Sequence, residues 1–192
     1  MTSQYDYESL GADTFQQLCQ ALLAKVHTET QCFPVGMPDG GRDASVPTRL
    51  VSDSIVYQVK FRKPTPNKLA SADDICSWLE RQIFGEMSKI ARLASKGAIK
   101  YVVMTNAQCS SHSEAGTRDR MQTWLDENLP IQSQIWWRDD IDRRLDGQTD
   151  IKRTFGLLRD ASGLAEMLGI VTPSMDLHEV VRLARTDRRV AA

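Results

Sequence analysis

Apolar residues at Phe15, Leu18, Cys19, Leu22, Leu23 and Val26 recur at steps of three and four, the stripe of a helix lying on a core. Asp13 with Gln16 three residues later has the form of a capping box, and Gly11 stands just outside it. Residues 30–35 read as a first strand, 42–46 as a second and 54–61 as a third. The third alternates, so Tyr57, Val59 and Phe61 face one way and Val56, Gln58 and Lys60 the other. Between the first two strands, Gly40 and Gly41 allow a tight turn that delivers Asp43 to the start of the second.

Further on, Ile75, Leu79, Ile83, Met87, Ile90 and Ala94 predict one long helix, with Ser71 or Asp73 as its cap and Gly97 as its stop. Glu80, Arg81, Glu86, Lys89 and Arg92 form its wet face, and Gly85 marks a bend or a close approach. Residues 98–105, with the apolar run Tyr101-Val102-Val103-Met104 at their centre, read as a buried strand. After a polar loop, Met121, Trp124, Leu125 and Leu129 predict a third helix ended by Pro130, then a strand over 131–137. Asp139 is placed to cap a short helix carrying Ile141 and Leu145. Trp136 and Trp137 alternate faces, one for the core and the other for the core or for base stacking. Beyond Leu158 the pattern loosens, with Gly163, Gly169 and Pro173 breaking two possible helices. The expected organisation is an α/β domain over 1–158, a central mixed sheet flanked by helices, followed by a helical tail over 159–192. That tail suits a linker to a further domain or a dimerisation arm.

Composition adds little and excludes some classes. With 24 Lys and Arg against 25 Asp and Glu, the formal charge is −1, so nucleic-acid contact requires a local basic patch rather than a global excess. Four scattered cysteines and three scattered histidines do not have the spacing of a structural zinc site. No apolar run is long enough to span a bilayer, so the expectation is a soluble cytoplasmic protein with reduced thiols and no membrane partner.

The alternation of the third strand carries the chemistry. Gln58 and Lys60 share a face, and the glycine turn brings Asp43 beside them. A carboxylate and a carboxamide oxygen are hard ligands that suit Mg²⁺, and a lysine ammonium can stabilise the oxyanion of phosphodiester hydrolysis. The plain reading stands beside it: Asp-Gly-Gly is an ordinary hairpin turn, and a Gln and a Lys often mark a solvated strand face.

The run Gly36-Met37-Pro38-Asp39-Gly40-Gly41-Arg42-Asp43, followed by Tyr57-Gln58-Val59-Lys60, resembles the PD-(D/E)xK nuclease signature in its Mrr-like restriction-endonuclease variant, where Gln replaces the middle acid. The strand followed by Arg138-Asp139-Asp140 and a short helix looks similar too, and the resemblance covers residues 5–158. It implies a restriction-endonuclease-like core and Mg²⁺-dependent hydrolysis of DNA, double-stranded by expectation, with Mn²⁺ as a substitute ion, in a restriction or antiphage defence setting. By the same resemblance Asp43 is the metal-binding acid, Gln58 the second ligand and Lys60 the catalytic lysine. Where the family places a glutamate after the first helix's aromatic residue, this chain has Gln16 after Phe15. That departure leaves Gln16, with Asp39, as a site-shaping residue, while Glu8 lies off the pattern as a surface charge. Arg62, Lys63 and Lys68, in a loop with Pro64 and Pro66, suit phosphate contact, or equally a solvated charge run. Domains of this kind are often joined to an NTPase or sensor module, or assemble as homo-oligomers. The alternative functions are a catalytically lapsed nucleic-acid-binding module and an oligomerisation module.

Overall fold

The computed structural model describes residues 5–48, 53–63, 70–113 and 116–157. Lys68 and the tail over 159–192 lie outside them. The chain begins with a 3-10 turn, Tyr7–Leu10, whose Ser9 amide donates to the Asp6 side chain at 3.3 Å. Gly11, at φ 72°, turns the chain directly into α1, Gly11–Val26, a backbone angle that a side chain disfavours. The expected capping box is therefore absent: Leu10 is the residue before the helix, no side chain caps it, and Asp13 lies within the first turn, where its charge suits the helix dipole.

Five strands follow in sheet order: β1 Gln31–Cys32, β2 Ala44–Pro47, β3 Ser54–Lys60, β4 Ala98–Thr105 and β5 Gln132–Trp136. β1, β2 and β3 pair antiparallel, whereas β3, β4 and β5 pair parallel. The sheet is thus mixed, as expected, and the element order is consistent with a restriction-endonuclease-like core. β1 is shorter than the sequence suggests. It is an edge strand running into Pro34, which has no amide to extend a ladder, and the pairing ends with Phe33 N donating to Asp43 O at 2.9 Å.

The parallel crossovers place α2 Ala72–Phe84, α3 Met87–Ala94 and α4 Thr117–Asn128 against one sheet face. α1, α5 Arg138–Leu145 and α6 Thr149–Thr154 cover the other. The alternation of β3 divides as expected. Tyr57, Val59 and Phe61 join the α1 side and Val56 the α2 side, because neighbouring residues of a strand point to opposite faces. Trp136 and Trp137 are divided in the same way and both are buried, so neither ring is presented for stacking. Arg144 sits 3.8 Å over the Trp136 ring. The α5 cap is Asp140, not Asp139: its carboxylate accepts from Trp137 N at 2.9 Å.

The single long helix expected to carry Ile75 through Ala94 is two helices. Ser71 and Asp74 form a capping box at the start of α2, and the break falls at Gly85, where Glu86 N donates to Ile83 O at 2.8 Å in a tightened turn. Gly is a weak helix former, and the turn re-aims Glu86.

Candidate active site

Asp43 is anchored by its backbone from both sides. Its amide donates to Tyr57 O at 2.9 Å. Its carbonyl accepts from Phe33 N and from the Gln20 side chain, the latter at 2.8 Å, and Gln20 also donates to Phe33 O at 2.8 Å. The preceding turn is closed by Gly41 N donating to Asp39 Oδ1 at 2.7 Å. Gly41 has φ 89°, and a Cβ there would lie 3.0 Å from Lys89 Cβ. Both the backbone angle and the space require glycine. The turn thereby docks on α3, and Asp43 is aimed onto the α2-side face of β3.

Asp43 is 4% exposed. Its Oδ2 accepts from Gln58 Nε2 and from Val59 N, both at 2.6 Å. Burial pushes its pKa from 3.8 up to about 6. The Val59 amide opposes the rise, the neighbouring and hydrogen-bonded Asp39 carboxylate adds to it, and the Lys60 charge partly offsets it.

Gln58, 6% exposed, turns its amino group to the Asp43 carboxylate, because only a donor can face that acceptor. Its Oε1 is therefore left buried with no hydrogen-bond partner. The Tyr101 hydroxyl, on the neighbouring strand, is also buried and unpartnered, and the charges of Glu86, Asp43 and Asp39 act on it. A buried acceptor and a buried donor without partners mark a place where polar groups are left to be satisfied by something other than this chain's described side chains.

Lys60 Nζ lies 3.0 Å from Glu86 Oε1, with the two side chains 12% and 16% exposed. Glu86 Oε2 lies 2.7 Å from Lys89 Nζ. Burial acts to raise the Glu86 carboxyl, but the hydrogen bonds from Lys89 and Lys60 outweigh it and hold the group below its ordinary value. Glu86 is thus not part of a wet helix face, whereas Lys89, its outer partner, still borders solvent. A lone acid three residues after buried Ile83 and four before buried Ile90 stands on the apolar stripe itself, and that spacing was the available signal.

Of the site residues named from sequence, Asp43, Gln58, Lys60 and Asp39 lie together. Gln16 is half-buried on α1, and Gln20, one turn further, bonds the Asp43 backbone. Glu8 is not a surface charge. It pairs with Arg138 through both oxygens, at 2.7 and 2.8 Å, and accepts from Asn106 Nδ2 at 3.1 Å. Asn106 in turn bonds both backbone groups of Arg62, at 2.7 and 3.0 Å, so this buried clasp fixes the first residue of the basic loop two positions past Lys60. The Arg62 guanidinium lies 6.0 Å from the Trp78 ring centre, and Lys63 is exposed.

No protein-family model matches the chain, and no curated protein matches it. Among solved structures, it is similar to the MspJI restriction endonuclease in complex with a 27-mer oligonucleotide, at 17% identity and a TM-score of 0.36. The match covers 88% of this chain and 35% of that one, so the chain spans about a third of its length. At that level the likeness adds nothing to what the side chains themselves say. Among the described residues the four cysteines form no disulfide, no cluster of three or more His, Cys, Asp or Glu side chains converges, and no helix is long and apolar enough to cross a membrane.

Proposed function

We propose that this domain hydrolyses phosphodiester bonds in duplex DNA with the help of Mg²⁺, or Mn²⁺ in its place. The observation that carries the reading is the meeting of Asp43, Gln58 and Lys60 on one face at the end of β3, with a buried carboxamide oxygen lacking any partner. A carboxylate whose proton is held by burial and by a second acid favours a cation beside it, and an oxygen donor set suits a hard ion. Asp43 and Gln58 would hold the ion, with Asp39 shaping the turn around them. When bound, it would polarise a phosphate oxygen and lower the pKa of a water. Lys60 would face the developing negative charge, and Arg62, Lys63 and Lys68 would contact backbone phosphates. The restriction or antiphage setting rests on the sequence resemblance alone.

A second reading is favoured by one observation. Asp43 Oδ2 already accepts two donors, and among the described residues no cluster of three or more acids, His or Cys gathers around it, as expected of a module that binds nucleic acid without cutting it. Plasmid cleavage with Mg²⁺, with and without chelator, separates the two. Chelator-sensitive cleavage that Asp43→Ala and Lys60→Ala each abolish supports hydrolysis. Duplex binding with no cleavage by the unaltered protein supports the lapsed module.

A further inference from the structure

We infer that Glu86 is the positioning residue of the site, holding the Lys60 ammonium against β3 and beside Asp43. This deepens the proposed hydrolytic reading and rests on it for the meaning of Lys60, although the contact itself can be tested without cleavage.

Three independent features point to it. The contact is made where water is scarce: Lys60 and Glu86 are 12% and 16% exposed at a separation of 3.0 Å, so the pair is screened much less than a surface ion pair. A lysine side chain has a flexible four-carbon stem, and β3 alone settles only where that stem starts. The carboxylate is what settles where it ends. The backbone, moreover, is arranged to deliver this acid. The Gly85 break and the Glu86 backbone at φ −102°, ψ −4° interrupt an otherwise continuous apolar stripe at the residue that bonds Lys60. The third feature is that Glu86 is itself held. Its other oxygen takes Lys89, whose stem lies against Gly41, and a Cβ at Gly41 would stand 3.6 Å from Glu86 Oε2. The turn that aims Asp43 and the acid that aims Lys60 are therefore packed on each other. Displacing either shifts both groups of the chemistry.

Lys89 is 43% exposed and serves as the outer partner, neutralising the second oxygen while remaining reachable by solvent. Glu86→Gln is the discriminating variant, because it keeps the shape and removes the charge. Metal-free, DNA-free protein is labelled with acetic anhydride, and modification of each lysine is read by peptide mass spectrometry, the remaining lysines serving as internal references. Lys60 should be modified severalfold faster in Glu86→Gln than in the unaltered protein, with the other lysines except Lys89 unchanged. Lys89→Ala should leave Lys60 protected. Should Glu86→Gln fail to fold, Glu86→Asp carries the same comparison, with a shorter reach and an intermediate rate at Lys60. Lys60 labelling at the unaltered rate in the folded variant overturns the proposal.

Cleavage supplies the second arm. Glu86→Gln should lower kcat roughly tenfold or more while KM stays within about threefold, and Glu86→Gln combined with Lys60→Ala should lose no more than Lys60→Ala alone. Full additivity would also overturn the positioning role. If the unaltered protein does not cut DNA while the labelling contrast persists, the hydrolytic reading falls and the Glu86 contact stands.

Discussion

Replacing Asp43 by asparagine should stabilise the metal-free protein at neutral pH and destroy its response to metal. The folded chain holds the Asp43 proton up to about pH 6, whereas an ordinary carboxyl releases it near 3.8. Between those values the folded state binds more protons than the unfolded one, so this group's contribution is complete below about pH 4 and drains away as pH rises through 6. The gap of about 2 pH units, at about 1.4 kcal/mol each, corresponds to roughly 3 kcal/mol lost by pH 7.5. Asparagine carries no charge to desolvate, can accept from Val59 N, and can donate to Asp39. Urea unfolding in chelator from pH 4 to 8 should therefore show the variant level with the unaltered protein at pH 4 and ~1 to 3 kcal/mol more stable at pH 7.5, the lower figure allowing for imperfect hydrogen bonds. Added Mg²⁺ should narrow that gap, by stabilising the unaltered protein alone. At ten times its Kd, a ligand of the folded state contributes about 1.4 kcal/mol, available to the carboxylate and not to the amide. A variant no more stable than the unaltered protein at pH 7.5 in chelator, or a gap that does not change with pH, would refute the reasoning.

Other outcomes follow from the same contacts. Gly41→Ala should cost about 1–2 kcal/mol for the left-handed backbone alone, and more because Lys89 must move from a 3.0 Å approach; urea unfolding reads the loss. Glu8→Ala leaves Arg138 buried without its carboxylate and should cost ~3 kcal/mol; in a thermal melt it should also increase proteolysis after Arg62 as the Asn106 clasp loosens. Neutralising Arg62, Lys63 and Lys68 should reduce the slope of log K against log salt for a DNA duplex by roughly 0.9 per phosphate contact removed, and an unchanged slope returns those residues to the solvent.

The elements whose identity is local were legible from the chain. The two-residue alternation of β3, the apolar run at the centre of β4 and the stripe of α1 each follow from the geometry of one segment, and with them the α/β class and the meeting of Asp43, Gln58 and Lys60. A strand's pleat determines which side chains share a face before any partner is known. The cap of α1 was misplaced because Asp13 and Gln16 satisfy a capping pattern, but the 3-10 turn supplied by Asp6 occupies the space before it. Glu86 and Glu8 were assigned to solvent because charge is a local property and burial is not. Whether an acid is wet depends on what the rest of the chain lays across it, here Lys60 with Lys89 in one case and Arg138 in the other. Lys60 is 26 residues from Glu86, and Arg138 is 130 from Glu8. Such pairs exist only once the sheet has closed and a low-dielectric interior makes an unpaired charge too costly to keep.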